Sequence, residues 1–209
     1  MTPQILFIAP LLVAAVTLLL CLNARGICEQ LGIMDVPNER KRHRNATPLM
    51  GGVALQVAFL PIAAALVLTI APPALIQSLL IWLISIVAMT LVGIADDRHS
   101  LSARNRLLMS FLVFGSAAIL DPLFTVRVLN FEHFGFELGL GTTWLAIIFT
   151  TICCVGLVNA VNMADGKNGL VIGLCLGWLG LLAFRAPPSL LPFIFILAAM
   201  LIILLIFNM

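Results

Sequence analysis

The sequence predicts an all-α, polytopic membrane helix bundle of about seven transmembrane helices. Two observations carry this. Of 209 residues, 62% are hydrophobic and 10% charged, where soluble domains carry roughly 25% charged residues. Uncharged stretches also recur at lengths suited to a hydrocarbon core ~30 Å thick. At that depth a helix satisfies its own backbone groups, and most other structures do not.

Seven spans follow in order, at residues 4–24, 51–71, 74–95, 107–120, 142–164, 168–184 and 186–209. The first has no basic segment before it and a basic loop after it, so it reads as a retained helix and not a signal peptide. The uncharged run 45–95 is too long for one span, and Pro72-Pro73 divides it. The fourth span is the shortest and reaches only about 21 Å at 1.5 Å per residue. Residues 121–141, rich in β-branched and aromatic side chains, predict a small external β-hairpin. The chain reads as a single membrane domain over residues 1–209, with no soluble domain and no low-complexity segment.

Charge sets the orientation. One set of alternate loops carries Arg25, Arg40, Lys41, Arg42, Arg44, Arg98, Arg104, Arg106 and Lys167, and the other only Arg127 and Arg185. By the positive-inside rule the N-terminus lies outside, and residues 25–50, 96–106 and 163–168 face the cytoplasm. The five cysteines show no zinc spacing and no disulfide framework, and read as small apolar packing residues. His99 and His133 stand alone, as structural or surface residues.

Polar residues gather in three clusters on the cytoplasmic side. They are "DVPNERKRHRNATPLMGG" from Asp35, "GIADDRHSLSARNR" from Gly93, and "NAVNMADGKNGL" from Asn159. Asp96 and Asp97 repel each other and end a helix where the macrodipole is negative. The plain reading is a solvated pair beside Arg98. The sharper one is a pair kept for a cation or for proton transfer. Asp165 ends another helix on the same face. Carboxylates brought together from two helices suit Mg²⁺, which takes oxygen ligands and bridges phosphates. The "RKRHR" run serves as a topology signal, a lipid-headgroup contact, or a phosphate clamp with Lys41 and His43 as donors. The amides of the third cluster form a polar turn, or ligate metal and pair with a nucleobase edge. Gly166 and Gly169 permit tight turns there. Neither standard phosphate-binding glycine motif occurs.

These motifs resemble those of the polyprenyl-phosphate N-acetylhexosamine-1-phosphate transferases, the MraY/WecA-type enzymes. The first cluster matches D-x-P-x-x-R-K-x-H…P-x-x-G-G, "DDRHSL" matches D-D-x-x-x-L, and the third matches N-x-x-N-x-x-D-G-x-[DN]-G-L. The "RKRH" loop is closer to the WecA type. The resemblance implies transfer of N-acetylhexosamine-1-phosphate, with GlcNAc-1-phosphate foremost, from a UDP-sugar to undecaprenyl or another polyprenyl phosphate. UMP leaves, and a cell-envelope glycan is initiated. It implies Mg²⁺ or Mn²⁺ as cofactor and the bacterial cytoplasmic (inner) membrane as location. Polyprenyl phosphate and UDP-N-acetylhexosamine become the partners, with a homodimer as one assembly and no nucleic acid. By this resemblance Asp96, Asp97 and Asp165 are catalytic, Lys41, His43, Asn159 and Asn168 bind substrate, and Asn162 is the metal ligand. Asn168 departs from the usual bacterial Asp, although the dolichol branch has Asn. An amide offers uracil both a donor and an acceptor.

Family members usually continue to a later G-D-x-G-S motif and a His-rich loop, which this sequence lacks. It therefore reads as the N-terminal part of a longer transferase domain, expected to insert in the membrane but not to catalyse transfer alone. Two other readings stay open: a catalytically inactive membrane scaffold descended from the enzyme, and a secondary transporter. The second fits less well, because transporters hold ionisable groups near mid-membrane and these spans do not.

Overall fold

A computed structural model describes residues 3–35, 47–131, 134–137, 143–164 and 169–208. Among them four helices are long and apolar enough to cross a membrane, five with one bent pair counted as a span, and two more are shorter and apolar. These are the seven apolar segments expected from sequence.

Helix α1 (Pro3–Leu22) is apolar throughout. The chain then bends by 72° into α2 (Ala24–Leu31), in a region expected to be loop. The reason is local. Ala24, Ile27, Cys28 and Leu31 repeat at helical spacing and form one apolar stripe. On the other side Arg25 donates to Glu29 one turn on, at 2.9 Å, an exposed pair of the kind that adds a few tenths of a kcal/mol. Gly32, at φ +67°, ends the helix in the left-handed conformation. Cys28 is buried, with Sγ 3.7 Å from Met50 Sδ, which agrees with its reading as a packing residue. Strands β1 (Met34–Asp35) and β2 (Thr47–Pro48) then pair antiparallel, Met34 opposite Pro48. This hairpin was not expected.

Helix α3 (Gly51–Ala54) passes through a π-helical turn, Leu55–Phe59, into α4 (Leu60–Ile70). Pro61 explains the wide turn. Its ring crowds the carbonyl four residues back and it has no N–H to give. The ladder relaxes to an i→i+5 bond, Leu60 N–H to Leu55 O. Pro72-Pro73 breaks the chain as expected, with Ala71 and Pro72 extended and Pro73 opening α5 (Pro73–His99). At 27 residues, α5 is about 40 Å long, so it is long enough to cross a bilayer core, and it carries Asp96 and Asp97 inside its last turns.

Helix α6 (Ala103–Leu120) corrects the fourth span. It starts four residues earlier than 107 and has 18 residues, or about 27 Å. Ser102 caps it, accepting the Asn105 N–H at 3.2 Å. Beyond it, β3 (Val128–Phe131) and β4 (Phe134–Glu137) form the expected hairpin, Val128 opposite Glu137. The Val126 N–H, ahead of β3, binds Thr150 Oγ1 at 2.8 Å and ties the connection to α7 (Thr143–Ala164). Helices α8 (Leu170–Arg185) and α9 (Leu191–Asn208) complete the described chain. Helix α9 begins later than residue 186, because Pro187 heads a turn closed by the Leu190 N–H at 2.9 Å.

The core lies where α1, the π-helical turn, α4 and α9 meet. Val13, Phe59, Val67 and Ile196 are fully buried there. Helix α6 packs on both α5 and α7, and α8 packs mainly on α9. Gly52 is the tight spot between α3 and α5: a Cβ there would lie 3.3 Å from Thr90 Cγ2. We expect Gly52→Val to lower stability by about 1–3 kcal/mol, the usual cost of overpacking. Thr90→Ser, which removes that methyl, should recover part of the loss, read as the unfolding midpoint in detergent.

Candidate active site at the polar end of the bundle

The α5–α6 connection is a sharply specified corner. Ser100 closes α5 at φ +49°, the only non-glycine residue at positive φ among those described. Its N–H returns to the Asp96 carbonyl at 2.7 Å. Three residues later α6 begins under the Ser102 cap. Across this corner Arg106 Nη1 donates to Asp96 Oδ2 at 2.9 Å, with both side chains partly buried. Asp97, Arg98 and His99 are exposed beside them. Arg98 also lies close to the end of α2, its Nε 3.9 Å from where a Gly32 Cβ would stand.

Both members of the ion pair oppose their helix dipoles. Asp96 sits near a C-terminus and Arg106 near an N-terminus, each disfavoured by roughly 0.3–1 kcal/mol at an exposed site. The pair offsets only part of those two costs, because partly exposed ion pairs are worth about 0–1 kcal/mol. Sequence reasoning put Arg98 beside the acidic residues and Arg106 in a loop. The missed signal was Ser102-x-x-Asn105 ahead of an apolar run, a helix start that puts Arg106 one turn inside α6.

Helix α7 runs back along α6, with Thr151 close to Gly115, so its C-terminal end returns to the end that holds Asp96. Asn159 and Asn162 lie there. Asn159 Nδ2 donates to the Val155 carbonyl at 2.8 Å, and Asn162 is exposed. Gly169 opens α8 at φ +73°, a conformation that glycine adopts without steric cost, as the turn reading required. The topology therefore gathers Asp96, Asp97, Asn159 and Asn162 at one end of the bundle. The expectations for Lys41, His43, Asp165 and Asn168 concern residues outside the described set.

Carboxylate and amide oxygens are hard donors, the chemistry Mg²⁺ requires. Among the described residues no group of three or more His, Cys, Asp or Glu is placed to hold a metal ion. The donors come from separate helix ends, and the amides of α7 are part of the set. On donor type they fit a magnesium ion.

Residues 79–209 match the model of the family described as Glycosyl transferase family 4. The chain belongs to that family. The matched region holds the acidic pair, the α5–α6 corner and both asparagines. A relative from Bacillus subtilis (strain 168) is named probable undecaprenyl-phosphate N-acetylglucosaminyl 1-phosphate transferase. It is 30% identical over 165 residues, 78% of this chain and 43% of the relative. Relatives named undecaprenyl-phosphate alpha-N-acetylglucosaminyl 1-phosphate transferase occur in Yersinia pestis and Escherichia coli (strain K12). Each is 30% identical over 166 residues, covering 78% and 76% of this chain and 43% and 41% of the relatives. The chain thus spans less than half the length of these relatives.

The corner yields a test of its own. Ser100→Gly should leave stability within about 0.5 kcal/mol, relief of the left-handed backbone offsetting the extra freedom of the unfolded chain. Ser100→Val should lower it by about 1–2 kcal/mol, because a β-branched residue resists that conformation. Thermal unfolding of the two variants checks both.

Proposed function

We propose that the protein transfers N-acetylhexosamine-1-phosphate from a UDP-sugar to polyprenyl phosphate, with GlcNAc-1-phosphate as the group moved. The observation that supports this most is the acidic pair Asp96-Asp97 at the end of a membrane-crossing helix, inside the region matched to family 4. The names of the relatives supply the substrates. The polar end carries the basic residues, so it is placed in the cytoplasm of a bacterial cell with the N-terminus outside, by the positive-inside rule. A cytosolic nucleotide sugar and a membrane lipid then meet at that end.

In this reaction an oxygen of the lipid phosphate attacks the sugar-bearing phosphorus of the UDP-sugar. One P–O bond forms, the P–O bond to UMP breaks, and UMP leaves. Both reactants are anions, so alignment and charge neutralisation dominate the barrier. Lys41 and His43 receive the phosphates. One carboxylate of the Asp96-Asp97 pair takes any proton the lipid phosphate carries, and Asp165 completes the polar site. Asn168 meets the uracil edge, and Asn159 is a further substrate-binding residue. Asn162 would hold Mg²⁺ together with the carboxylates, and the ion, when bound, neutralises phosphate charge.

Radiolabelled transfer by protein expressed from its complete reading frame tests this. EDTA should abolish turnover and added Mg²⁺ should restore it; undiminished transfer in EDTA would remove the metal from the site. Asp96→Asn and Asp97→Asn should each cost more than roughly 100-fold, the range for a positioned acid-base group. Folded variants with wild-type turnover would mark the pair as surface groups.

The nucleotide contact has a separate test. Asn168→Asp should keep UDP-sugar affinity, whereas Asn168→Leu should raise KM, because a polar edge of the base is left unpaired. Equal kinetics for Leu and Asn would take residue 168 out of the nucleotide site.

A further inference from the structure

We infer that Arg106 is a positioning residue that holds the Asp96 carboxylate at its place in the reaction site. The inference rests on the transferase reading of Asp96 given above. Three observations carry it.

First, Asp96 is fixed twice by the same corner. Its carbonyl accepts the Ser100 N–H at 2.7 Å, and its Oδ2 accepts from Arg106 at 2.9 Å. Second, Arg106 is itself held on both sides of its backbone. Its N–H donates to the Ser102 carbonyl at 3.1 Å, and its carbonyl accepts Ser110 Oγ at 2.9 Å. The guanidinium therefore reaches Asp96 from a fixed base on α6. Third, the polarity of the pair is the wrong one for a simple clamp. With the basic residue ending α5 and the acidic residue opening α6, the same corner would gain from both helix dipoles. The observed order loses from both. A carboxylate at the end of α5 is what the site needs, and the arginine across the corner answers it. Because Arg106 enters from α6, it fixes the carboxylate without taking a place on α5.

The test uses protein from the complete reading frame, carrying Arg106→Gln or Arg106→Lys. For Arg106→Gln we expect kcat to fall 10- to 100-fold with KM for UDP-N-acetylglucosamine within threefold of wild type. Arg106→Lys, which keeps the cation, should recover to within about fivefold. The unfolding midpoint of Arg106→Gln should stay close to wild type, because a partly exposed pair set against two dipoles adds little stability. A large rise in KM at unchanged kcat would place Arg106 on the substrate and overturn the positioning role. A fall in kcat matched by a large fall in midpoint would make the pair a structural clamp and also overturn it. Turnover of Arg106→Gln equal to an active wild type would remove this inference and leave the transferase reading standing. A folded wild type without transfer would remove both.

Discussion

Lipid offers no hydrogen-bond partners, and the rest of the structure follows from that. Each backbone group in the apolar layer must be answered within the chain. The hydroxyls at this depth obey the same constraint: Thr17, Ser85, Thr90 and Thr151 all donate to the carbonyl four residues back. Pro61 shows what happens where a donor is missing. The helix widens for one turn and continues instead of breaking inside the membrane. The double proline at 72–73, by contrast, falls where the chain can extend, and there it ends a helix.

The same constraint pushes chemistry to the helix ends. Among the described residues every Asp, Glu, Lys and Arg lies in a connection or a short strand, in α2, or within the first or last turns of a longer helix. Mid-membrane carriers of charge, which a transporter would need, are missing from the described spans. Antiparallel alternation then sorts alternate connections to opposite ends. The long α5 brings an acidic pair to the same end as the amides of α7, while α6 packs between the two helices and anchors the corner. A reaction between a lipid phosphate and a soluble nucleotide sugar has few other places to occur. It must stand where water, charge and the bilayer surface meet.

Much of this was legible in the sequence because the signals were local. Apolar run lengths gave the seven segments, Pro72-Pro73 gave the break, and β-branched and aromatic residues gave the β3–β4 hairpin. The motif residues Asp96, Asp97, Asn159 and Asn162 fell in the family-matched region. What was missed was short or mixed in character. Helix α2 has an apolar stripe only two turns long, set among charges, so a reading tuned to membrane spans passed over it. Helix α6 starts with two arginines, and a rule that ends spans at charge cut it by a turn.

By itself, then, the sequence determined which segments enter the membrane and which residues are excluded from it, because burial in lipid is decided by composition over a length of chain. It also showed where polar residues gather, since carboxylates, amides and basic residues fall in the connections and at the helix ends. Only the tertiary structure decided who partners whom. That Asp96 answers to Arg106 and not to its neighbour Arg98 depends on the left-handed turn at Ser100, which folds α6 back beside α5. That Gly52 must be small depends on where Thr90 comes to rest across the α3–α5 contact. Such pairings join residues on different helices, and their geometry is set by packing, which no local pattern records.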